Sequence, residues 1–305
     1  MTAVRLVVRP GEPRTVGEVL ALHGIVATAV ADGRVFLGAK RVDDAAASVK
    51  DGDELAVETA RDIVLGVEIL SEFRDLYAVS KPPGLPTEPD RSGTASVVDS
   101  VARLLKAPRD VIHAATRLDA QVSGIAVIAR GAEAARFAAA LKQSGRLRRR
   151  YLAVAARAVE PAEGVWDAPV GEPSRGGKGA RDAVSRYAVV ESARPLPSAP
   201  TPALFVVEPV TGRTHQIRLH ASGAGAPLLG DVKHGGPRRV VLADGRMLTF
   251  ARVALHAARI QADVEDEAPW TVTAALPDDM TELWASLGGD GKAVARALEH
   301  SFRKR

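Results

Sequence analysis

The stretch His113–Arg130, HAATRLDAQVSGIAVIAR, places one acid, Asp119, directly after Arg117 and Leu118. An ionised carboxylate can attack an electrophilic carbon or take a proton. A polar step, Ala120 to Ser123, and Gly124 follow, then the apolar run Ile125–Ala129, which is of strand length. The acid is therefore expected in a loop that feeds a buried strand, a usual position for catalytic groups. On its own, Arg-Leu-Asp reads first as a surface turn with Arg117 as the partner of Asp119. The remaining chain has to decide.

Two further stretches carry chemistry. Arg146-Leu147-Arg148-Arg149-Arg150 runs into Tyr151 and a strand-like segment. Basic residues beside an aromatic suit a nucleic-acid backbone with stacked bases, and a solvated charged face is the plain alternative. The second stretch is EPVTGRTHQIRLHASGAGAPLLGD, Glu208 to Asp231. Thr211-Gly212 turns the chain, and Arg213–His220 reads as a strand. Period two sets His215, Ile217 and Leu219 on one face and Gln216, Arg218 and His220 on the other. Ile217 and Leu219 suit a core, so Arg218 is expected to face a cleft. On that strand His215 and His220 point apart, and no Cys or carboxylate cluster joins them, so no metal site is expected. The Gly-rich basic loop GEPSRGGKGARD (171–182) lacks Walker spacing and is not a phosphate cradle.

The elements that must position these groups follow from the bulk numbers and the local patterns. The chain has 305 residues, 46% apolar and 26% charged, an ordinary globular composition with room for about two domains. It has no cysteine, which excludes disulfides, thiolate metal sites and cysteine nucleophiles and fits a reducing compartment. MTAVRLVVRP shows no leader pattern, and no apolar run approaches the roughly 18 residues of a membrane span. A soluble, cytoplasmic protein is expected. The net charge is +4. Residues 1–60 hold seven Lys/Arg against nine Asp/Glu, a balance of −2, which leaves +6 to residues 61–305. The positive excess lies with the candidate chemistry, a mild pointer to a polyanion.

In chain order, 3–8 reads as a strand and Thr15 caps a helix, with Glu18 completing a capping box. A short hairpin follows at 33–42, then a turn and strand at 49–55. Residues 60–66 read as a linker. Leu76–Ser80 is strand-like, and KPPGLP (81–86) is a rigid turn. Thr94 or Ser96 caps a helix bearing Val97, Val98, Val101, Leu104 and Leu105. Ala132–Gln143 has helical spacing and ends at Gly145. Strands are expected at 183–190, around Leu255-His256-Ala257 and at Trp270–Val272, with a helix at Met280–Leu287. KAVARALEHSFRKR is expected to form a basic tail helix.

The order KPPGLP, RLDAQVSG, RRRYLAVA, TGRTHQIRLHASGAGAPLLGD, ALHA, ALPDD resembles the RluA-type RNA pseudouridine synthases over roughly residues 70–287. GRVFLGAKRVDDAAASVKDGDELAV resembles the αL RNA-binding module, a common N-terminal companion in that family. An acidic module is a poor phosphate binder, so RNA contact and a structural role are both open for it. The resemblance implies isomerisation of uridine in RNA without metal or organic cofactor. It implies Asp119 as the catalytic aspartate acting at the ribose, as nucleophile on C1′ or base at C2′. Tyr151 stacks on the base and helps remove the C5 proton, Arg218 pairs with Asp119, Arg117 holds the flipped nucleotide, and Leu219 lies against the base. Arg149 and Arg150 of the basic run are expected RNA contacts. One departure is visible: the family usually has histidine before its RLD triplet, and here that residue is Thr116, with His113 three positions earlier.

The implied fold is α+β: an αL-like module (1–62), a catalytic domain (67–288) with a bent, mostly antiparallel mixed sheet and flanking helices, and a basic tail (289–305). The expected partner is RNA, large-subunit rRNA before tRNA, and the expected state is a monomer. The competing reading is a non-catalytic RNA-binding or ribosome-assembly protein that keeps the fold. A glycoside hydrolase lacks the second well-placed acid such enzymes use.

Overall fold

The computed structural model describes residues 3–25, 28–31, 35–38, 40–58, 66–89, 95–171 and 179–302. Residues 60–65 of the expected linker, the start of the N-terminal hairpin at Gly33 and Arg34, the Thr94 cap, residues 172–178 of the Gly-rich loop and the last three tail residues lie outside them.

The N-terminal unit is an antiparallel four-stranded sheet, in order β1 (Ala3–Val7), β4 (Glu54–Glu58), β2 (Val35–Leu37), β3 (Lys40–Arg41). Helices α1 (Val16–Leu22) and α2 (Thr28–Ala31) join it. Thr15 caps α1, its hydroxyl accepting the Glu18 N–H. Val16, Val19 and Leu20 then bury against Leu6, Val35, Leu55 and Val57. The amphipathic spacing and the cap act together: one starts the helix, the other gives it a face to lose from water.

The larger unit is a ten-stranded mixed sheet. Its path runs β10 (Glu163–Trp166), β11 (Ser185–Ser192), β12 (Ala203–Pro209), β9 (Leu147–Ala155), β15 (Leu255–Ala262), β8 (Ser123–Arg130), β6 (Leu76–Lys81), β5 (Glu68–Phe73). β7 (Ile112–Ala114) adds to β8 and β16 (Trp270–Thr273) to β15. Among the described residues β8 and β15 form the one parallel pair of this sheet. That pairing starts where His256 faces Ser123 and Ala257 faces Gly124. Gly124 has φ +111°, and a Cβ there would lie 2.3 Å from the Ala257 carbonyl oxygen. Glycine is thus required just past the RLD loop, because backbone meets backbone there. A small ribbon, β13 (Arg239–Val241) with β14 (Met247–Thr249), stands apart from this sheet.

Alternation along β9 divides the core. Tyr151, Ala153 and Ala155 join one apolar cluster, while Leu152 and Val154 join another on the opposite face. On the first side sits α3 (Val97–Leu104), capped by Ser96 with Asp99 in a full capping box. α4 (Gly131–Gln143) packs over β8 and ends at Ser144, with Gly145 left-handed beyond it. On the second side α6 (Asp278–Ser286) buries Met280, Leu283 and Trp284, and α7 (Gly291–Glu299) buries Ala293 and Ala297 among them. The segment expected as a basic tail therefore carries a helix that shares the core of the sheet, because its small residues recur at i and i+4.

One element differs in kind from expectation. Residues 213–220 are not a strand: α5 spans Gln216–Gly223. Thr-His-Gln-Ile-Arg-Leu-His alternates by chance at period two, but Ile217, Arg218 and Ala221 form the buried face of a helix. No described helix is long and apolar enough to cross a membrane.

Candidate active site

The RLD loop is fixed on both sides of Asp119. Where β7 stops pairing with β8, the N–H groups of Ala115 and Thr116 both donate to the Val127 carbonyl, at 2.9 and 3.0 Å. The Thr116 hydroxyl accepts the Val127 N–H at 2.8 Å. Buried Thr87 donates its hydroxyl to Leu118 O at 2.9 Å and accepts the Leu118 N–H at 3.0 Å. After Asp119, the Ala120 carbonyl accepts the Gly84 N–H at 2.7 Å and Lys81 Nζ at 2.9 Å. The turn KPPGLP, read from sequence as a structural turn, is thus, with Thr87 after it, the clamp on the loop that carries the acid.

Arg218 comes from α5. The loop before that helix is tied by Gln216, whose Oε1 accepts from Thr211 Oγ1 and the Arg213 N–H, and whose Nε2 donates to Val184 O and Ser185 Oγ. Arg218 donates from Nη1 to Asp119 Oδ2 at 3.0 Å. Its Nε and Nη2 donate to Asp231 Oδ2 and Oδ1, at 2.8 and 2.6 Å. The Arg218 and Asp231 side chains are 6% and 1% exposed, while Asp119 keeps 23%. Burial works against the Arg218 charge, but Asp231 and Asp119 outweigh it, and its pKa stands above the ordinary arginine value. A permanent cation is thus hydrogen-bonded to a partly open carboxylate. His215 Nε2 lies 3.7 Å from Asp119 Oδ2.

Asp119 and Arg218 meet in a cleft of about 810 Å³ that is also lined by Tyr151, Arg117, Lys142, Arg149, Ile217 and Leu255. Tyr151 is buried, which pushes its phenol pKa up; Arg149 pulls it back and Asp119 adds to the rise. Arg117 is 63% exposed at the rim, 3.5 Å from Glu88. Arg149 donates to Thr211 O at 2.9 Å and Pro209 O at 3.3 Å. Lys142 donates to Ala115 O at 2.9 Å. Burial, then Arg149 and Arg117, lowers its pKa. A pocket with Asp119 inside, Glu88 at its rim, one tyrosine and several cations can seat an anionic backbone with one base turned inward.

Two expected site residues fall elsewhere. Arg150 lies on the face of β9 opposite Tyr151 and Arg149, where it pairs with Glu208 and donates to the Leu298 carbonyl. Leu219 is half-buried and does not line the cleft; Ile217 does. Both shifts have one cause each: strand alternation splits 149 from 150, and on a helix residues 217 and 219 are about 200° apart. Sequence reasoning singled out neither Asp231, Lys81, Thr87 nor Lys142 for the site. Asp231 stands at the end of the GRTHQIR stretch, but its pairing with Arg218 depends on the turn between them. Among the described residues no group of three or more His, Asp or Glu is arranged to hold a metal ion.

Comparison with known proteins gives one answer. The family model described as RNA pseudouridylate synthase matches residues 75–223. Ribosomal large subunit pseudouridine synthase D of Pseudomonas aeruginosa is 31% identical over 258 residues, covering 77% of this chain and 75% of that protein. Its namesake in Vibrio parahaemolyticus is 29% identical over 293 residues, covering 85% and 84%. The structure of human RNA pseudouridylate synthase domain containing 4 superposes with a TM-score of 0.57 at 24% identity, over 72% of this chain and 92% of that one, a likeness of fold. With the motifs in family order and a relative this similar across most of both lengths, the chain belongs to the RNA pseudouridine synthases of the RluA type.

Proposed function

We propose that this RNA pseudouridine synthase modifies uridine in large-subunit ribosomal RNA, in the cytoplasm and as a monomer, with Asp119 as the group that acts at the ribose. The observation that carries the reading is the Asp119–Arg218 contact at 3.0 Å on the wall of the cleft that also holds Tyr151. The RNA class is supported by the names of the relatives, which are ribosomal large subunit enzymes.

In this reading the target uridine leaves its helix, because the glycosidic bond is out of reach within a stack. Arg117 at the rim stands where the nucleotide was displaced, and Tyr151 offers a stacking surface worth roughly 1–3 kcal/mol for the extruded base. The N1–C1′ bond breaks, the uracil turns, and C5 bonds to C1′. N1 ends protonated and the C5 proton leaves, so no co-reactant is consumed. Asp119 assists bond cleavage by attack on C1′ or by taking the C2′ proton; either route uses a carboxylate, which Arg218 orients. Residues 1–62 act as an accessory module to the catalytic unit, which starts near residue 67 and takes in α7.

Asp119→Asn tests the assignment. The variant should fold, bind rRNA transcripts and give no pseudouridine. Wild-type turnover by this variant would remove Asp119 from the chemistry. A transcriptome-wide pseudouridine map with and without the gene tests the substrate: lost sites should fall in large-subunit rRNA, and losses confined to tRNA would overturn that choice.

A further inference from the structure

The two oxygens of Asp119 are not equivalent. Oδ2 accepts from Arg218 Nη1 at 3.0 Å and faces His215 Nε2 at 3.7 Å. Oδ1 has no hydrogen-bond partner among the described residues. His215 itself is in left-handed backbone, φ +54° and ψ +20°, immediately before α5. That conformation costs a non-glycine residue about 1–2 kcal/mol and persists where its surroundings over-determine it. Here it sets the imidazole between Asp119 and a second ring: His234 Nε2 is 2.9 Å from His215 Nδ1, the rings edge-on with centroids 5.0 Å apart.

With one proton on each ring, a single N–H lies between those two nitrogens, and charge then selects its owner. On His215 Nδ1, it would leave the neutral ring presenting the Nε2 lone pair to a carboxylate oxygen. On His234 Nε2, it leaves His215 with its own proton at Nε2, an N–H directed at Asp119. The second arrangement is attractive where the first is repulsive. Burial, with Arg218 and Lys233 acting in the same sense against the pull of Asp231, holds His234 below the usual histidine pKa. The donor ring is therefore neutral near pH 7. Catalytic hydrogen bonds are often long before substrate binds and shorten in the complex, which is the state of the 3.7 Å approach.

We infer that His234 is a positioning residue for pseudouridine formation: by donating to His215 Nδ1 it fixes the His215 tautomer whose Nε2–H, together with Arg218, occupies Asp119 Oδ2 and leaves Oδ1 as the oxygen that meets the ribose. The inference rests on the assignment of Asp119 above.

His234→Phe keeps a ring of similar size and removes the donor. Its kcat should fall about tenfold, with KM for RNA within about twofold of wild type, since the lost interaction acts on the carboxylate and not on RNA binding. His234→Gln, which restores an N–H donor, should recover to within about threefold of wild type. In a His215→Phe background His234→Phe should add no further loss, because the pair acts as one unit. Wild-type kcat in His234→Phe, a Gln variant as impaired as the Phe variant, or additive losses would each overturn the proposal. Should the Phe variant fail to fold, nitrogen NMR of the unmodified protein decides: His215 must be protonated at Nε2 and bare at Nδ1, and the opposite tautomer rejects the idea. An active Asp119→Asn enzyme would remove the assignment underneath; an inactive one beside a fully active His234→Phe would remove the His234 role alone.

Discussion

Asp231 grips Arg218 with both carboxylate oxygens, at 2.8 and 2.6 Å, and so leaves only Nη1 to reach Asp119. The planar fork of arginine makes this aiming possible; the point charge of lysine does not. The pair is nearly dry, so removing one partner strands the other. Asp231→Asn should cost about 3–5 kcal/mol, the usual loss on breaking a buried ion pair. In a chain of this size that lowers Tm by about 5–8 °C. Turnover should fall more than tenfold, since the guanidinium is no longer held toward Asp119. Calorimetry and single-turnover assays read both. An Asp231→Asn enzyme as stable and active as wild type would show that something else aims Arg218.

Lys81 gives a prediction in pH. It is buried under the same loop, its Nζ donating to Pro82 O and Ala120 O. Burial lowers its pKa from 10.5 to about 7; Asp119 resists the fall and Arg252 adds to it. The folded value lies below the unfolded one, so between these two values the unfolded chain binds more protons than the folded one. Stability therefore rises with pH across that window, and the penalty is at its full size below pH 7. Tm should climb from pH 7 to pH 9 in the wild type, and Lys81→Met should flatten the climb. A wild-type Tm with no more upward slope than the Met variant would mean that Lys81 stays protonated when folded.

What the sequence shows plainly is what local pattern controls. The strand after the RLD loop, the helix caps at Thr15 and near Ser96, the helix ended by Gly145 and the rigid KPPGLP turn are all legible because neighbours in sequence create them. The meeting of Asp119 with Arg218 is not local. It came from the order of the motifs and their resemblance to a family, since nothing in either stretch points at the other. The strand misreading of 213–220 shows the limit of periodicity: seven residues fit period two and a helix face alike. The loop before α5, locked by Gln216 onto Val184 and Ser185, selected the helix. Asp231 and His234 were invisible as site residues because their partners lie 13 and 19 residues back, across a turn whose shape is tertiary.

Thr116, the departure from the family pattern, has a structural task here. Its hydroxyl is the acceptor for the Val127 N–H, which β7 no longer satisfies once it leaves β8. Thr116→Val keeps the shape and removes the acceptor. A buried unpaired N–H costs about 1–3 kcal/mol, so Tm should drop by several degrees. The loop bearing Asp119 loses one of its ties, and kcat should fall while RNA affinity holds. Thermal melts and separate measurement of kcat and KM check this. An unchanged Tm would mean that water or a shifted backbone replaces the hydroxyl.

Adjacent arginines on β9 separate the cleft face from the packing face. Arg149 shares the Tyr151 face and lines the cleft, while Arg150 is turned toward Glu208 and the end of α7. An arginine that neutralises one phosphate contributes a slope of about one in the log–log dependence of RNA affinity on salt. Arg149→Ala should weaken RNA binding several-fold and reduce that slope by about one. Arg150→Ala should leave both unchanged. It should instead lower Tm, because Glu208 loses its partner and α7 one of its ties to the sheet, a loss of about 1–3 kcal/mol. Binding titrations at several salt concentrations, set beside thermal melts, make the comparison within one strand. Equal losses of RNA affinity in the two variants would mean that RNA contacts both faces of β9, which the packing of α7 against the Arg150 side does not allow.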